Sequence, residues 1–304
     1  MVGAVDDARD TVRPFNLPPE EAEQGVTALI GRSEMPDTLD PLPITAIELL
    51  APIRRPRRNL FCVGKNYNEH AHEFARSGFD SSAAAGAVPA HPIIFSKVPE
   101  SVVGPGTQVG YRSDVSTALD YEVELAVIIG REGRGISTED AMAHVWGYTI
   151  VNDLTARDLQ QRHSQWLVGK SQDAFCPMGP WAVTADEIDL ADTNLRCLVN
   201  GELRQSANTR DMIFDVPTLI SIISAGITLY PGDIIATGTP AGVGIGFEPP
   251  RYLSEGDVVR LEIDGIGGFE HSLIDLDSGS SPATGAGLGS SDKQGSDLLQ
   301  GEKQ

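Results

Sequence analysis

Two glutamates interrupt an otherwise apolar run, Tyr121-Glu122-Val123-Glu124-Leu125-Ala126-Val127-Ile128-Ile129. Read as a β-strand, the run places Val123, Leu125, Val127 and Ile129 on one face and Glu122, Glu124, Ala126 and Ile128 on the other. Both faces turn apolar after Glu124, so the strand must enter the protein interior. Side chains two positions apart point the same way, about 6.7 Å apart along the strand. Like charges at that spacing repel, and burying either unpaired costs several kcal/mol. A hard divalent cation removes the penalty. A solvated strand end with arginine partners stays open as the alternative from this segment alone.

A second apolar segment, Gly147-Tyr148-Thr149-Ile150-Val151-Asn152-Asp153, also ends in an acid. An oxygen ligand from Asp153 on a neighbouring strand completes a face of three carboxylates. Such a face leaves positions of an octahedron for water and a chelating substrate, and all-oxygen ligands favour magnesium or manganese over zinc.

The segments around this pair read mostly as strands: PIIFSK, PWAVT, LRCLVNGELRQ, GDIIATG and DVVRLEIDGIGGFEHSLI. Asn200-Gly201 between alternating segments signals a two-residue hairpin, whose turn positions need positive φ. Helices are few. One follows Asn59–Val63, a short strand ended by Gly64, and covers Asn66 to Phe74 with Asn66 as its cap. Another opens at the capping box Ser137-Thr138-Glu139-Asp140 and runs through Val145. A third spans Asp215 to Ala225, with Asp215 as cap and Pro217 in its first turn. Strands and helices do not alternate, which excludes a doubly wound sheet and predicts a β-rich α+β domain.

Residues 1–56 are Pro-rich, hold one helical candidate in PPEEAEQGVTALIGR, and read as an N-terminal arm or small subdomain. The catalytic domain is expected over 57–277. Residues 77–90 are small and polar and read as a mobile loop, suited to a lid. The tail, 278–304, is Ser- and Gly-rich with almost no core formers and is expected to be disordered.

Composition narrows the function. A net charge of −20 makes nucleic acid a poor partner. The one basic run, Arg54-Arg55-Pro56-Arg57-Arg58, reads as a solvated linker. No apolar run approaches the roughly 20 residues that span a bilayer. The polar N-terminus lacks a secretory pattern, so a cytoplasmic location is the default expectation. Cys62, Cys176 and Cys197 form no ligand spacing and read as buried free thiols.

The sequence resembles the fumarylacetoacetate hydrolase superfamily over roughly Asn59 to Leu273. The blocks that carry the resemblance are CVGKNYNEH (62–70), DYEVELAVIIG (120–130), NDLTARDLQ (152–160), VGKSQDAFCPMGP (168–180), VNGELRQ (199–205) and GDIIATGTPAGVG (232–244). The resemblance implies a rolled, mixed β-sheet catalytic fold, a homodimer, and magnesium or manganese at Glu122, Glu124 and Asp153. It implies that Lys170 contacts a small anionic 2-oxo acid or its enolate, with Gln160 and Thr239 lining the pocket and Gly238 and Gly242 in the turn beside it. His70 and Glu73 match the water-activating pair of hydrolytic members. Arg157 is read as a structural ion-pair partner, and His72, Arg162 and His163 as exposed.

The expected activity is cleavage of a C–C bond in an acylpyruvate through an enolate. The alternative is a decarboxylase or isomerase of 2-oxo or 2-hydroxy dienoic diacids from aromatic degradation, or an oxaloacetate decarboxylase, on the same site. A metabolite-binding module without chemistry is the third reading, disfavoured because the three acids, the lysine and the His–Glu pair are all present. A chain ending at Gly279 is expected to keep its melting temperature and turnover, since the tail has little to bury; a drop of several degrees in thermal unfolding would show that it packs on the domain.

Overall fold

The structure, a computed structural model, describes residues 1–6, 8, 10–77 and 88–277. The loop expected at 77–90 lies mostly, and the tail from 278 wholly, outside the described residues. No described helix is long and apolar enough to cross a membrane.

Residues 1–56 build a small three-stranded sheet from β1 (Gly3–Asp6), β2 (Thr11–Pro14) and β3 (Leu42–Pro43). The expected N-terminal helix is reduced to one turn, α1 (Pro19–Ala22), followed by a 3-10 turn at Gly25–Ala28. Gly25 breaks the helix there, because its φ of +62° is a conformation an α-helix cannot contain.

The strands that carry the site form a seven-stranded mixed sheet. Along the chain they are β4 (Leu60–Gly64), β5 (Ile93–Lys97), β6 (Val102–Val103), β9 (Val123–Ile129), β10 (Val145–Asn152), β12 (Cys176–Thr184) and β15 (Ile234–Ala236), in the spatial order β5-β4-β15-β9-β10-β12-β6. A second, five-stranded sheet contains β7 (Gln108–Tyr111), β13 (Asn194–Val199), β14 (Glu202–Asn208), β16 (Val258–Ile263) and β17 (Gly267–Asp275). The short strands β8 (Leu119–Asp120) and β11 (Thr155–Ala156) pair with each other beside the site. The rolled, mixed sheet and the β-rich α+β class are as the sequence predicts.

Alternation along β9 explains why both faces of the large sheet are dry. Val123, Leu125, Val127 and Ile129 join a core cluster with Leu195, Val259, Leu261 and Phe269 of the second sheet. Ala126 and Ile128, on the other face, pack with Val151, Met178 and the N-terminal Ala51 and Ile53. Each large aliphatic side chain so buried contributes on the order of 1.5–3 kcal/mol.

The hairpin at Asn200-Gly201 joins β13 to β14, and both residues have positive φ, 52° and 78°. Helix α5 (Val216–Ser224) starts where predicted, with the Asp215 carboxylate accepting from the Thr218 N–H at 2.9 Å. Two helix expectations need correction. Ser137 does accept from the Asp140 N–H, yet only a 3-10 turn follows at Ala141–His144. The chain leaves it because Val145 pairs with Ile129 and opens the β10 ladder. Asn66 is not the cap of α2 (Asn68–Arg76): extended Tyr67 occupies that position. The Asn66 amide instead donates to the Thr237 and Phe214 carbonyls, at 2.8 and 2.9 Å, and accepts from the Phe214 N–H.

The basic run is only partly a solvated linker. Arg54 and Arg55 are exposed. Arg58 instead pairs with buried Asp233 and lies over the Phe61 and Tyr230 rings, 4.9 and 5.4 Å from their centroids. Arg58→Ala is expected to cost about 1–3 kcal/mol in urea unfolding, because it strips a buried carboxylate of its cation. A loss below a few tenths of a kcal/mol would mean that water replaces the guanidinium without penalty.

Candidate active site

Strand register makes the acidic cluster. Across the antiparallel β9–β10 pair, Val123 stands opposite Asn152. The next pair outward sets Glu122 against Asp153, whose N–H donates to the Glu122 carbonyl at 2.9 Å. Directly opposed residues share a face, as do Glu122 and Glu124 two positions apart. All three acids therefore project to one side. Each offers an oxygen within 4.8 Å of the others, and all three side chains are buried. That spacing and an all-oxygen donor set suit a hard divalent cation.

Three buried cations hold the cluster. Lys170, at the end of α4 (Leu167–Lys170), places Nζ 2.7 Å from Glu122 Oε2 and 2.7 Å from Asp153 Oδ2. Lys97, the last residue of β5, donates to Asp153 Oδ1 at 2.7 Å and to the Leu154 carbonyl at 3.0 Å. Arg157, opening α3 (Arg157–Arg162), reaches Glu122 Oε1 at 2.8 Å and Asp120 Oδ2 at 2.8 Å. Asp120 also accepts from the Gly244 and Ile245 N–H groups, at 2.6 and 3.0 Å. Arg157 thus fixes a loop as well as a carboxylate.

Glu124 is treated differently. Its one hydrogen bond among the described residues comes from the Gly238 N–H, at 2.9 Å. Burial, then repulsion from Asp153 and Glu122, pushes its carboxyl well above the ordinary range. Glu122 feels the same burial, but Lys170 and Arg157 outweigh it and its carboxyl falls below the usual value. Lys170 is likewise pulled down by burial and pushed up more by Asp153 and Glu122, so it stays charged.

Gly238 and Gly242 explain the glycine-rich turn. Gly238 has φ +100°, and a Cβ there would meet Asn66 Cβ at 2.7 Å and the Val63 carbonyl at 3.0 Å. Gly242 has φ +101° and its N–H donates to both Glu73 oxygens, at 3.0 and 3.2 Å. Glu73 in turn stands 3.3 Å from His70 Nδ1. With Nδ1–H donating to that carboxylate, Nε2 is left as the basic nitrogen of a buried imidazole. Thr239 Oγ1 accepts from Gln205 Nε2 at 2.8 Å, and Gln160 Oε1 from Arg157 Nη1 at 3.1 Å.

A cleft joins these groups: His70, Glu122, Glu124, Gln160, Lys170 and Thr239 line it, with Phe74, Phe95 and Trp166 as an aromatic wall. Arg157 and Lys65 line it too. Nη2 of Arg157 is buried and without a partner among the described residues. Arg157 thus makes the ion pairs expected from sequence and lines the cleft as well. Gly238, Gly242 and Glu73 stand just behind the lining. His72, Arg162 and His163 are exposed, and the cysteines are buried free thiols. Lys65, Lys97 and Asp120 were not predicted. A lysine closing the apolar strand Ile93–Lys97 and an acid opening DYEVE were the available signals.

Fold and site together define a metal-type carboxylate centre in a rolled sheet, and the chain belongs to the fumarylacetoacetate (FAA) hydrolase C-terminal family, which it matches over residues 59–274. It is 49% identical to the oxaloacetate tautomerase YisK of Bacillus subtilis over 76% of this chain and 74% of that one. Identity to the human mitochondrial oxaloacetate tautomerase FAHD2A is 44%, over 83% of this chain and 78% of the relative. The solved fumarylacetoacetate hydrolase of Exiguobacterium antarcticum superposes with a TM-score of 0.73 at 42% identity, covering 87% of this chain and 94% of that one.

The raised carboxyl of Glu124 gives a pH prediction. An acid whose folded pKa lies above its unfolded value keeps its proton in the fold, so metal-free stability falls as pH rises past the ordinary carboxylate range. A bound divalent cation removes that cost. The rise in melting temperature on adding magnesium should therefore grow from pH 5 to pH 8. An increment flat in pH would show that Glu124 is not relieved by the ion.

Proposed function

We propose that the protein is a magnesium- or manganese-dependent enzyme that interconverts the keto and enol forms of a small 2-oxo diacid, oxaloacetate. The observation that carries this reading is the coincidence of the three-acid cluster with Lys170, Arg157 and the His70–Glu73 pair around one small cleft. The tautomerase relatives support the substrate. The reading takes up the isomerase alternative over acylpyruvate hydrolysis, which the relatives support less well.

Glu122, Glu124 and Asp153 would hold a divalent cation, which would supply Lewis acidity at the 2-oxo end of the substrate. Arg157 Nη2, lacking a partner, is free to take a carboxylate oxygen as a charge-assisted donor. His70 Nε2, with Nδ1 held by Glu73, removes the proton from C3 as negative charge moves to the C2 oxygen. Lys170 Nζ stabilises that charge, and the proton taken up by His70 passes on to the C2 oxygen, which completes the enol and returns the imidazole to its neutral form. One proton leaves carbon and one reaches oxygen, so the step balances without a co-reactant. The reverse order gives the keto form.

The enol form of oxaloacetate, followed by its ultraviolet absorbance with the spontaneous rate subtracted, tests the reading. The parent should accelerate enol decay without releasing pyruvate. His70→Ala should lose about 10²–10⁴-fold, the size of a general-base contribution, and Lys170→Ala about 10²–10³-fold. Enol decay at the buffer rate, together with cleavage of acetylpyruvate, would return the assignment to hydrolysis. Release of pyruvate from oxaloacetate would make it a decarboxylase.

A further inference from the structure

Behind the acid cluster lies a polar relay that the reaction does not touch. Asn152, fully buried, ends β10 one residue before Asp153. Its Oδ1 accepts the Glu122 N–H at 2.9 Å. That bond fixes which end of the amide is oxygen, so Nδ2 must be the atom facing His271 Nε2, 2.7 Å away. An amide nitrogen only donates, hence Nε2 accepts and the imidazole is neutral with its proton on Nδ1. Nδ1 is buried without a partner among the described residues. Burial also lowers the pKa of His271 to about 4, which keeps the ring uncharged.

The imidazole offers the Asn152 amide an acceptor that no apolar side chain could supply. His271 belongs to β17 of the second sheet, so the contact spans the two sheets. Through Asn152 it reaches the backbone of Glu122, which in turn accepts the Asp153 N–H.

We propose that His271 is a positioning residue: its Nε2 locks the Asn152 amide, and that amide sets the backbone from which Glu122 reaches the cleft and Asp153 joins it in the acid cluster. The proposal rests on the reading of those acids as the reaction centre. It adds a residue of the opposite sheet to the determinants of their geometry.

The test pairs His271→Leu, which removes the acceptor, with His271→Gln, whose side-chain oxygen can stand near the Nε2 position. Backbone amide exchange at Glu122 and calorimetric magnesium affinity are read on the full chain. His271→Leu should speed Glu122 exchange about tenfold or more and weaken magnesium binding about tenfold, while the amide of Cys197 in the second sheet keeps its protection. His271→Gln should restore both readouts. Should His271→Leu fail to fold, His271→Met makes the same comparison. The proposal is overturned if the apolar variant changes only the melting temperature, or if His271→Gln is as impaired as His271→Leu. Absence of magnesium or manganese binding in the parent would overturn the metal reading instead, and Glu122 exchange would still decide the role of His271.

Discussion

Glu124 is the one acid of the cluster without a cationic partner among the described residues, and the site is organised around that imbalance. Four buried carboxylates, Asp120, Glu122, Glu124 and Asp153, are joined in one network with three buried cations, Lys97, Lys170 and Arg157. The network is one negative charge in excess, and the excess falls on Glu124, with only a backbone N–H to accept from. In a low-dielectric interior that is unstable unless a proton or a cation joins it. A divalent ion turns the network from one negative charge to one positive. That is the sign needed to draw a dianionic substrate into a protein whose net charge is −20.

The β9–β10 register puts the three acids on one face, and that register is itself pinned by apolar burial on both sides of the sheet. A slip of one residue would turn Glu122 and Glu124 toward the apolar core of Leu195, Val259 and Leu261. The costliest groups in the chain are thus aimed by its least polar contacts. Lys170 and Arg157 arrive from short helices directly after β10 and β11, so most of the counter-charge is local in sequence. Lys97 is the exception and ties β5 to the same acid.

The acids were legible in the sequence because alternation makes a charge in an interior strand conspicuous. Lys170 and the His70–Glu73 pair could be placed only by resemblance, since a lysine after Val168-Gly169 or a helix histidine is ordinary in isolation. Lys97 escaped notice because a lysine closing a strand normally reaches solvent; here it meets Asp153, 56 positions further along the chain. Asn66 was misread as a cap, and Ser137 as a helix start, for one reason. A local hydrogen-bonding signature was overridden by a distant partner, the Thr237 carbonyl in one case and the β9 ladder in the other.

The same geometry bears on why one fold can host several reactions. Cleavage, decarboxylation and tautomerisation of 2-oxo acids all place negative charge on the C2 oxygen, which is where Lys170 and the acid cluster act. They differ in what else is required: an attacking water, a departing carboxylate, or a proton moved at C3. His70 is suited to the first and the third, since Glu73 holds Nδ1 and leaves Nε2 as a base whatever it deprotonates. The outcome then turns on what stands nearest Nε2, a C3 hydrogen or a water. Phe74, Phe95 and Trp166 wall the cleft on that side. The keto–enol reading puts the C3 hydrogen there, and the hydrolytic reading a water.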